Sequence, residues 1–440
     1  MDSDLIQGSS RQSTEPEHRT AQTATRFKVS PVMVLLLLGA AVLAISTGLR
    51  QSMGLFLGPV LGDLKISASA FSFSIALQSI MWGVSQPFAG LLADRFGSRP
   101  VIIGAALTYS AGLALMSLAS GSLLLDLGGG VLAGIGVSGT GLGIVMGAVS
   151  RAVRPERRSQ TVGAVAAAGS LGTILLAPLG QAWIAAYGWR VAALAFAGVA
   201  SLMALVAIGL NRTTEKGPIA PVHHKDDLPL GEVLRQALRH PGYLAMTAAF
   251  FACGFQLMFI TTHLPSYLAW CGLPPSVGAT ALGLIGLCNT GGTYVAGMLG
   301  ARFRQKRLLA MVYLLRTLSI VVFLLVPVTE TSALVFAAAM GSLWLSVAPL
   351  VSGIVGNMFG LKYFGTLYGV VFLSHQLGSF FGSLMGGVLF DLTGSYGSAW
   401  IALIAVGLAA FTLQWPMDDR SPADRARSLS HGARTASASA

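Results

Sequence analysis

Apolar runs long enough to form spanning helices, parted by short polar or glycine-rich stretches, recur along almost the whole chain. About 20 apolar residues of helix cross a hydrocarbon core. Twelve stretches reach that length: 32–58, 69–93, 101–119, 123–150, 159–186, 191–210, 242–270, 276–300, 308–327, 331–357, 363–390 and 397–415. The pattern predicts an all-α membrane protein with twelve transmembrane helices, whose separations at 120–122 and 328–330 rest on very short turns. Between the sixth and seventh runs the polar stretch "NRTTEKGPIAPVHHKDDLPLGEVLRQALRH" divides six from six. The expected organisation is an irregular tail over 1–30, a six-helix bundle over 31–210, a linker over 211–241, a second bundle over 242–415 and a tail over 416–440. Residues 1–30 lack an apolar core, so no cleaved leader is expected.

Composition strengthens the membrane reading, because 54% of the residues are hydrophobic and 10% charged, against about one-quarter charged in soluble domains. Charge placement then sets the orientation. With the N-terminus inside, only Lys65 and Arg190 of the 28 Lys and Arg residues fall in outside loops, and Arg50 and Arg316 lie within helices. Basic residues in short loops resist translocation, so both tails and the linker are expected to be cytoplasmic. The formal charge of +11 is then a topology signal with some attraction to anionic membrane lipid, and no nucleic-acid partner is needed.

Cys253, Cys271 and Cys288 lie in apolar segments and read as packing residues without a redox role. His223 and His224 lack a carboxylate or thiol at ligand spacing, so they read as solvated linker and no metal is expected.

The two halves repeat. A shift of 207 residues lays "GMLGARFRQKR" (297–307) on "GLLADRFGSRP" (90–100), pairing Gly297 with Gly90, Arg302 with Arg95, Phe303 with Phe96 and Lys306 with Arg99, while Asp94 becomes Ala301. Six-helix repeats joined by a linker suit a rocking carrier with its site between the halves.

The stretch at 90–100 resembles the loop motif of the major facilitator superfamily between its second and third helices, with Gly90, Asp94, Arg95, Gly97 and Arg99 at the motif positions and Pro100 where a second basic residue is common. The resemblance spans roughly 32–415 and implies the two-repeat major facilitator fold, with those five residues as a conformational latch on the cytoplasmic side. Elementary chemistry agrees, since Gly90 allows close helix approach, Gly97 permits a left-handed turn and Asp94 suits a helix N-terminus or an arginine. "GLRQSMGLFLGPVLGDL", "LQSIMWGVSQPFAG", "FFACGFQLMFITTHLPSYL" and "GSLMGGVLFDLTGSYGSAW" are similar to bacterial members of the monocarboxylate-transporter-like branch, which implies a bacterial inner-membrane location. The drug–proton antiporter branch fits less well, because "GTILLAPLG" (172–180) departs from its fifth-helix signature.

An ionisable group within a membrane helix costs several kcal/mol unless water or a partner receives it, so each is a functional candidate. Arg50, among Gly48, Ser52 and Gly54, sits about 12 Å from the helix end at Gly58 and reads as a cavity residue, with snorkelling to the headgroups as the alternative. Arg316 lies in the ninth helix, peripheral in the resembled fold, and reads as reaching cytoplasmic headgroups. His263 precedes the helix-loosening Pro265, and Gln256, Phe259, Ile260, His263 and Tyr267 share one helical face. His375 sits between Ser374 and Gln376, Asn289 and Tyr294 give the eighth helix a polar patch, and Gln78 and Gln86 mark the second. Arg50, Gln78, Gln256, His263, Asn289, Tyr294 and His375 are the candidate substrate-binding set.

No Asp or Glu lies deep in a helix. Asp63, Asp126 and Glu330 are read near outer ends, and Asp94, Glu156 and Asp391 near inner ones. A cavity with cationic groups and no deep acid favours an anionic cargo, although the arginine of the eighth helix expected from the resemblance is missing between Ser276 and Gly300. Enzyme activity is not expected: no paired aspartates, Ser/His pair or metal cluster is evident, and the glycines of "GGGVLAGIGVSGTGLG" lack the lysine of a phosphate loop. The sequence thus predicts a secondary active transporter of a small organic anion, a monocarboxylate, acting as a monomer without cofactor, with protons as a candidate co-substrate. An exporter of amphiphilic or drug-like compounds and a non-transporting receptor are the alternatives.

Overall fold

The computed structural model describes residues 31–145, 155–209, 229–360 and 363–422. Every regular element among them is helical. In the first half, α1 (Pro31–Gln51) continues through a 3-10 turn (Met53–Phe56) into a short helix (Leu57–Leu64). It is followed by α2 (Ala68–Phe96), α3 (Ser98–Ser117) and α4 (Ser122–Val145). The run Pro155–Ile208 bends at Gly188, where φ is 81°, and so supplies α5 (155–187) and α6 (189–208). The second half holds α7 (Pro241–Trp270), α8 (Pro275–Arg302), α9 (Gln305–Leu325), α10 (Glu330–Ser342 and Val347–Phe359), α11 (Phe364–Thr393) and α12 (Gly397–Gln414). All twelve expected crossings are present.

Among the described residues nine helices are long and apolar enough to cross a membrane, one of them, Ala167–Ile208, holding both α5 and α6. The pair outside that set is α2 and α11, diluted by serine, glutamine, histidine and glycine. Their polar residues have a use, because these two helices pack on each other between the halves: Gln376 Nε2 donates to Ser79 O at 2.9 Å and Ser383 Oγ to Ser72 O at 3.1 Å.

The linker is partly helical, which its prolines did not predict: Leu230–Arg239 forms a short amphipathic helix in which Arg235 pairs with Glu232 at 2.7 Å and holds that carboxyl below its usual value. His223 and His224 lie outside the described residues.

Three seams join the halves, two through glycines at close backbone approaches and one through a side-chain hydrogen bond. A Cβ on Gly54 of α1 would lie 1.9 Å from Thr261 O of α7, and one on Gly387 of α11 would lie 2.7 Å from Ala68 O of α2. On the third seam, Asn289 Nδ2 of α8 donates to Ser170 Oγ of α5 at 2.8 Å. Contacts along α2 and α11 run from the Asp391 end to the level of Gly83 and Gln376. Toward the other end Gly90 and Gly297 each face open space. Gly90 therefore does not serve the close helix approach expected of it in this conformation, because the half opposite has no atom there. Gly97 does meet its expectation, ending α2 and starting α3 at φ 88°, a region that side chains disfavour.

Asp391 corrects the sequence reading. It lies at the end opposite Asp94, because α11 runs antiparallel to α2, and its carboxylate accepts the N–H groups of Ala68 and Ser69 where α2 begins.

Candidate functional site

Arg50 leaves α1 on the same face as Ser46, whose hydroxyl bonds Thr140 of α4 at 2.8 Å. The guanidinium is partly buried between the halves. Its Nη1 reaches Met258 Sδ of α7 at 3.5 Å, and its Cζ stands 4.9 Å from the centre of the Trp82 ring of α2. Because the helical segment continues to Leu64, Arg50 lies about 20 Å along the axis from that end, farther than the roughly 12 Å to Gly58 read from the sequence. A guanidinium offers five donors. Here a thioether and an aromatic face are weak recipients, and no carboxylate among the described residues forms an ion pair with it. Trp82 itself is held by Nε1 donating to Gln86 Oε1 at 2.9 Å and by the edge of Phe372 from α11, at 5.2 Å.

The other candidates divide by the surface they serve. Gln78 is buried and donates to Gly129 O of α4 at 3.0 Å, with its Oε1 unpaired among the described residues. Gln256 turns away from the halves' boundary and donates to Leu403 O of α12 at 3.2 Å. His263, fully buried, donates from Nε2 to Ser383 O at 2.8 Å, with Ser72 Oγ 3.5 Å away; a carbonyl can only accept, which fixes that tautomer. The aromatics sharing its helical face, Phe259 and Tyr267, pack on Trp400 of α12 at 5.1 and 5.2 Å. That face is therefore core of the second half in this conformation.

Asn289 Oδ1 accepts Leu345 N at 2.9 Å while its amide reaches Ser170, so one side chain ties α8 to both α10 and α5. Tyr294, by contrast, is 68% exposed and is not brought together with the rest. His375 is partly buried beside Gln376 Oε1 at 3.1 Å, with the Phe250 ring 4.9 Å away. Arg50 and Asn289 thus stand at the boundary between halves, Gln78 and His263 support it, His375 packs within the second half against Phe250 of α7, and Gln256 and Tyr294 lie elsewhere. Of the 90–99 stretch, Asp94 and Arg95 are exposed, Gly90, Gly97 and Arg99 half-buried.

Arg316 overturns its expectation most clearly. Instead of reaching headgroups it is 0% exposed. Its Nε donates to Leu343 O at 3.0 Å, Nη2 to Leu343 O and Trp344 O, and Nη1 to Cys253 Sγ at 3.2 Å. Those carbonyls belong to the break between the two pieces of α10, where helical acceptors lose their partners and a cation at a helix C-terminus is favoured. Sequence reasoning missed this break by taking 331–357 as one span, although Gly341 just before it and Pro349 in the first turn of the second piece could have marked it. It also missed Tyr109 of α3, buried with its hydroxyl unpaired among the described residues.

Residues 34–346 match the model of the Major Facilitator Superfamily. Monocarboxylate transporter 11 of Homo sapiens is 28% identical over 380 residues, 82% of this chain and 77% of that protein. The oxalate:formate antiporter of Oxalobacter formigenes is 24% identical over 386 residues, 86% of this chain and 89% of that one. Among solved structures, a bacterial homolog of the human lysosomal transporter Spinster, inward-facing and unoccupied, shares the fold with a TM-score of 0.72 at 14% identity, covering 89% of this chain and 99% of that one.

Proposed function

From the premise that this chain belongs to the major facilitator superfamily, and is therefore a multi-pass secondary transporter of a small molecule rather than an enzyme, we propose that its cargo is a small organic monoanion, a monocarboxylate. The observation that carries this reading is Arg50, a cation at the boundary of the halves whose partners are Met258 and Trp82. A carboxylate offers the bidentate acceptor that its planar fork lacks. A single negative charge fits best, because the other buried arginine, Arg316, is already occupied by two carbonyls and a thiol. The names of two relatives, a monocarboxylate transporter and an oxalate:formate antiporter, support an organic-acid cargo.

Alternating access follows from the seams between the halves. The Asp391 contact joins the halves at one end while Gly90 and Gly297 each face open space toward the other, which supports reading this conformation as open toward the Asp94 end. With the charge asymmetry read as positive-inside, that is the cytoplasmic side of a bacterial inner membrane, both termini are cytoplasmic, and Asp94, Arg95 and Arg99 with Gly90 and Gly97 form the latch of the opposite state. Asn289 completes the site, protons are the candidate coupling ion, and the carrier acts as a monomer in its lipid. Counterflow in proteoliposomes tests the cargo: vesicles loaded with unlabelled pyruvate, lactate or acetate should accumulate the labelled acid above protein-free vesicles. Absence of counterflow for all three overturns the monocarboxylate reading.

A further inference from the structure

Arg50 has a neighbour that its own helix does not reveal. The Ser46–Thr140 hydrogen bond fixes the register of α1 against α4. One turn along α1 and one turn back along antiparallel α4, Arg50 stands level with Gly136. A Cβ there would lie 2.4 Å from Cβ of Tyr109, so the missing side chain is what lets α3 send Tyr109 across α4 toward α1. Tyr109 is fully buried, interacts electrostatically with Arg50, and its hydroxyl has no hydrogen-bond partner among the described residues. An unpaired buried hydroxyl costs about 1–3 kcal/mol.

The internal repeat agrees with that path. The shift that carries Gly90 onto Gly297 carries Tyr109 onto Arg316, Gly136 onto Leu343 and Ser46 onto Cys253. In the second half Arg316 crosses from α9 over α10 at Leu343 O and reaches Cys253 Sγ of α7 at 3.2 Å. The corresponding path takes Tyr109 from α3 over Gly136 to the Ser46–Arg50 turn of α1. Arg316 finds its acceptors in the broken backbone of α10, whereas the Tyr109 hydroxyl finds none.

We propose that the Tyr109 hydroxyl is a second ligand of the anion held by Arg50, donating its O–H to one carboxylate oxygen while the guanidinium takes the other. This rests on the reading of Arg50 as the anion site. Tyr109→Phe retains the ring against Gly136 and removes only the donor. Purified wild type, Tyr109→Phe and Arg50→Gln are titrated by calorimetry with pyruvate, lactate and acetate. Loss of a hydrogen bond to a charged group predicts roughly tenfold weaker binding for Tyr109→Phe, with a melting temperature at or above that of wild type in the absence of acid because the unpaired hydroxyl is gone, and no binding for Arg50→Gln. Wild-type affinity in Tyr109→Phe together with loss in Arg50→Gln overturns the role of Tyr109 and leaves the anion site standing. Binding by Arg50→Gln, or by no wild-type protein to any of the three acids, overturns the anion site and this inference with it. If Tyr109→Phe does not fold, 3-fluorotyrosine at position 109 keeps the hydroxyl as a stronger donor and should tighten binding; affinity that does not move overturns the proposal.

Discussion

The carboxylate of Asp391, on α11, accepts the backbone N–H of Ala68, the first residue of α2, at 3.0 Å, across the boundary between the two halves. The second oxygen takes Ser69 N at 2.8 Å. Both donors are among those a helix leaves unsatisfied at its start, and the negative charge meets the positive end of the α2 dipole. The contact exists only while the halves are closed at this end. Removing the charge in Asp391→Asn should cost the closed state about 1 kcal/mol, roughly a fivefold shift toward opening at that end. Spin labels placed across the seam would read this as a growing long-distance population; an unchanged distance distribution assigns the contact no part in closure.

Gly54 sets the closest approach on the neighbouring seam. Any side chain there meets the carbonyls of Thr261 and Thr262 of α7, at 1.9 and 2.8 Å from the first added carbon. Backbone cannot yield as a flexible side chain does. Gly54→Val should wedge α1 from α7, trap the carrier open at the Asp391 end and stop transport, while the protein still inserts and elutes as wild type. Normal counterflow by Gly54→Val would show that α1 and α7 can separate here without cost.

Arg316 holds a structural break, so its loss should appear in stability before affinity. Arg316→Met approximates the volume but strands the carbonyls of Leu343 and Trp344 and the Cys253 thiol. Breaking a buried network of this kind costs about 3 kcal/mol, which predicts a melting temperature lower by several degrees. Arg316→Lys, with one point donor in place of the fork, should fall between the two. A Met variant melting like wild type would mean that water or a rearranged break replaces the clamp.

Much of the architecture is legible in the sequence because lipid enforces it: an uninterrupted apolar run of sufficient length has few alternatives to a spanning helix. Gly97 is legible for the same kind of reason, since a turn with positive φ between two helices admits little else. What hydropathy cannot show is the third dimension. Arg316 reads as a peripheral cation because its own helix is peripheral, and only the broken backbone of α10 beneath it supplies the acceptors. Tyr294 and Asn289 share a short stretch of α8, yet five residues turn one outward to 68% exposure and leave the other buried at 1%. Tyr109 offers no signal at all until the repeat pairs it with Arg316.

Arg50 gives the decisive test of cargo. Its charge sits between α1, α2 and α7, where Met258 Sδ at 3.5 Å and the Trp82 ring at 4.9 Å are poor substitutes for a counter-ion. Desolvating such a cation costs several kcal/mol, a cost that a bound carboxylate offsets through two charge-assisted hydrogen bonds. Arg50→Lys preserves the charge but loses the fork, so it should retain transport with affinity lowered roughly 10- to 100-fold, as expected when a bidentate contact becomes a single one. Arg50→Gln removes the charge as well; it should abolish saturable uptake of pyruvate, lactate and acetate. Because the uncompensated cation is gone, this variant should melt at or slightly above the wild-type temperature in the absence of acid. That pairing of lost binding with retained or raised stability separates a ligand-binding cation from a structural one, whose removal would lower both. If Arg50→Gln takes up the acids with wild-type affinity, the anion is bound elsewhere and Arg50 serves packing against Trp82.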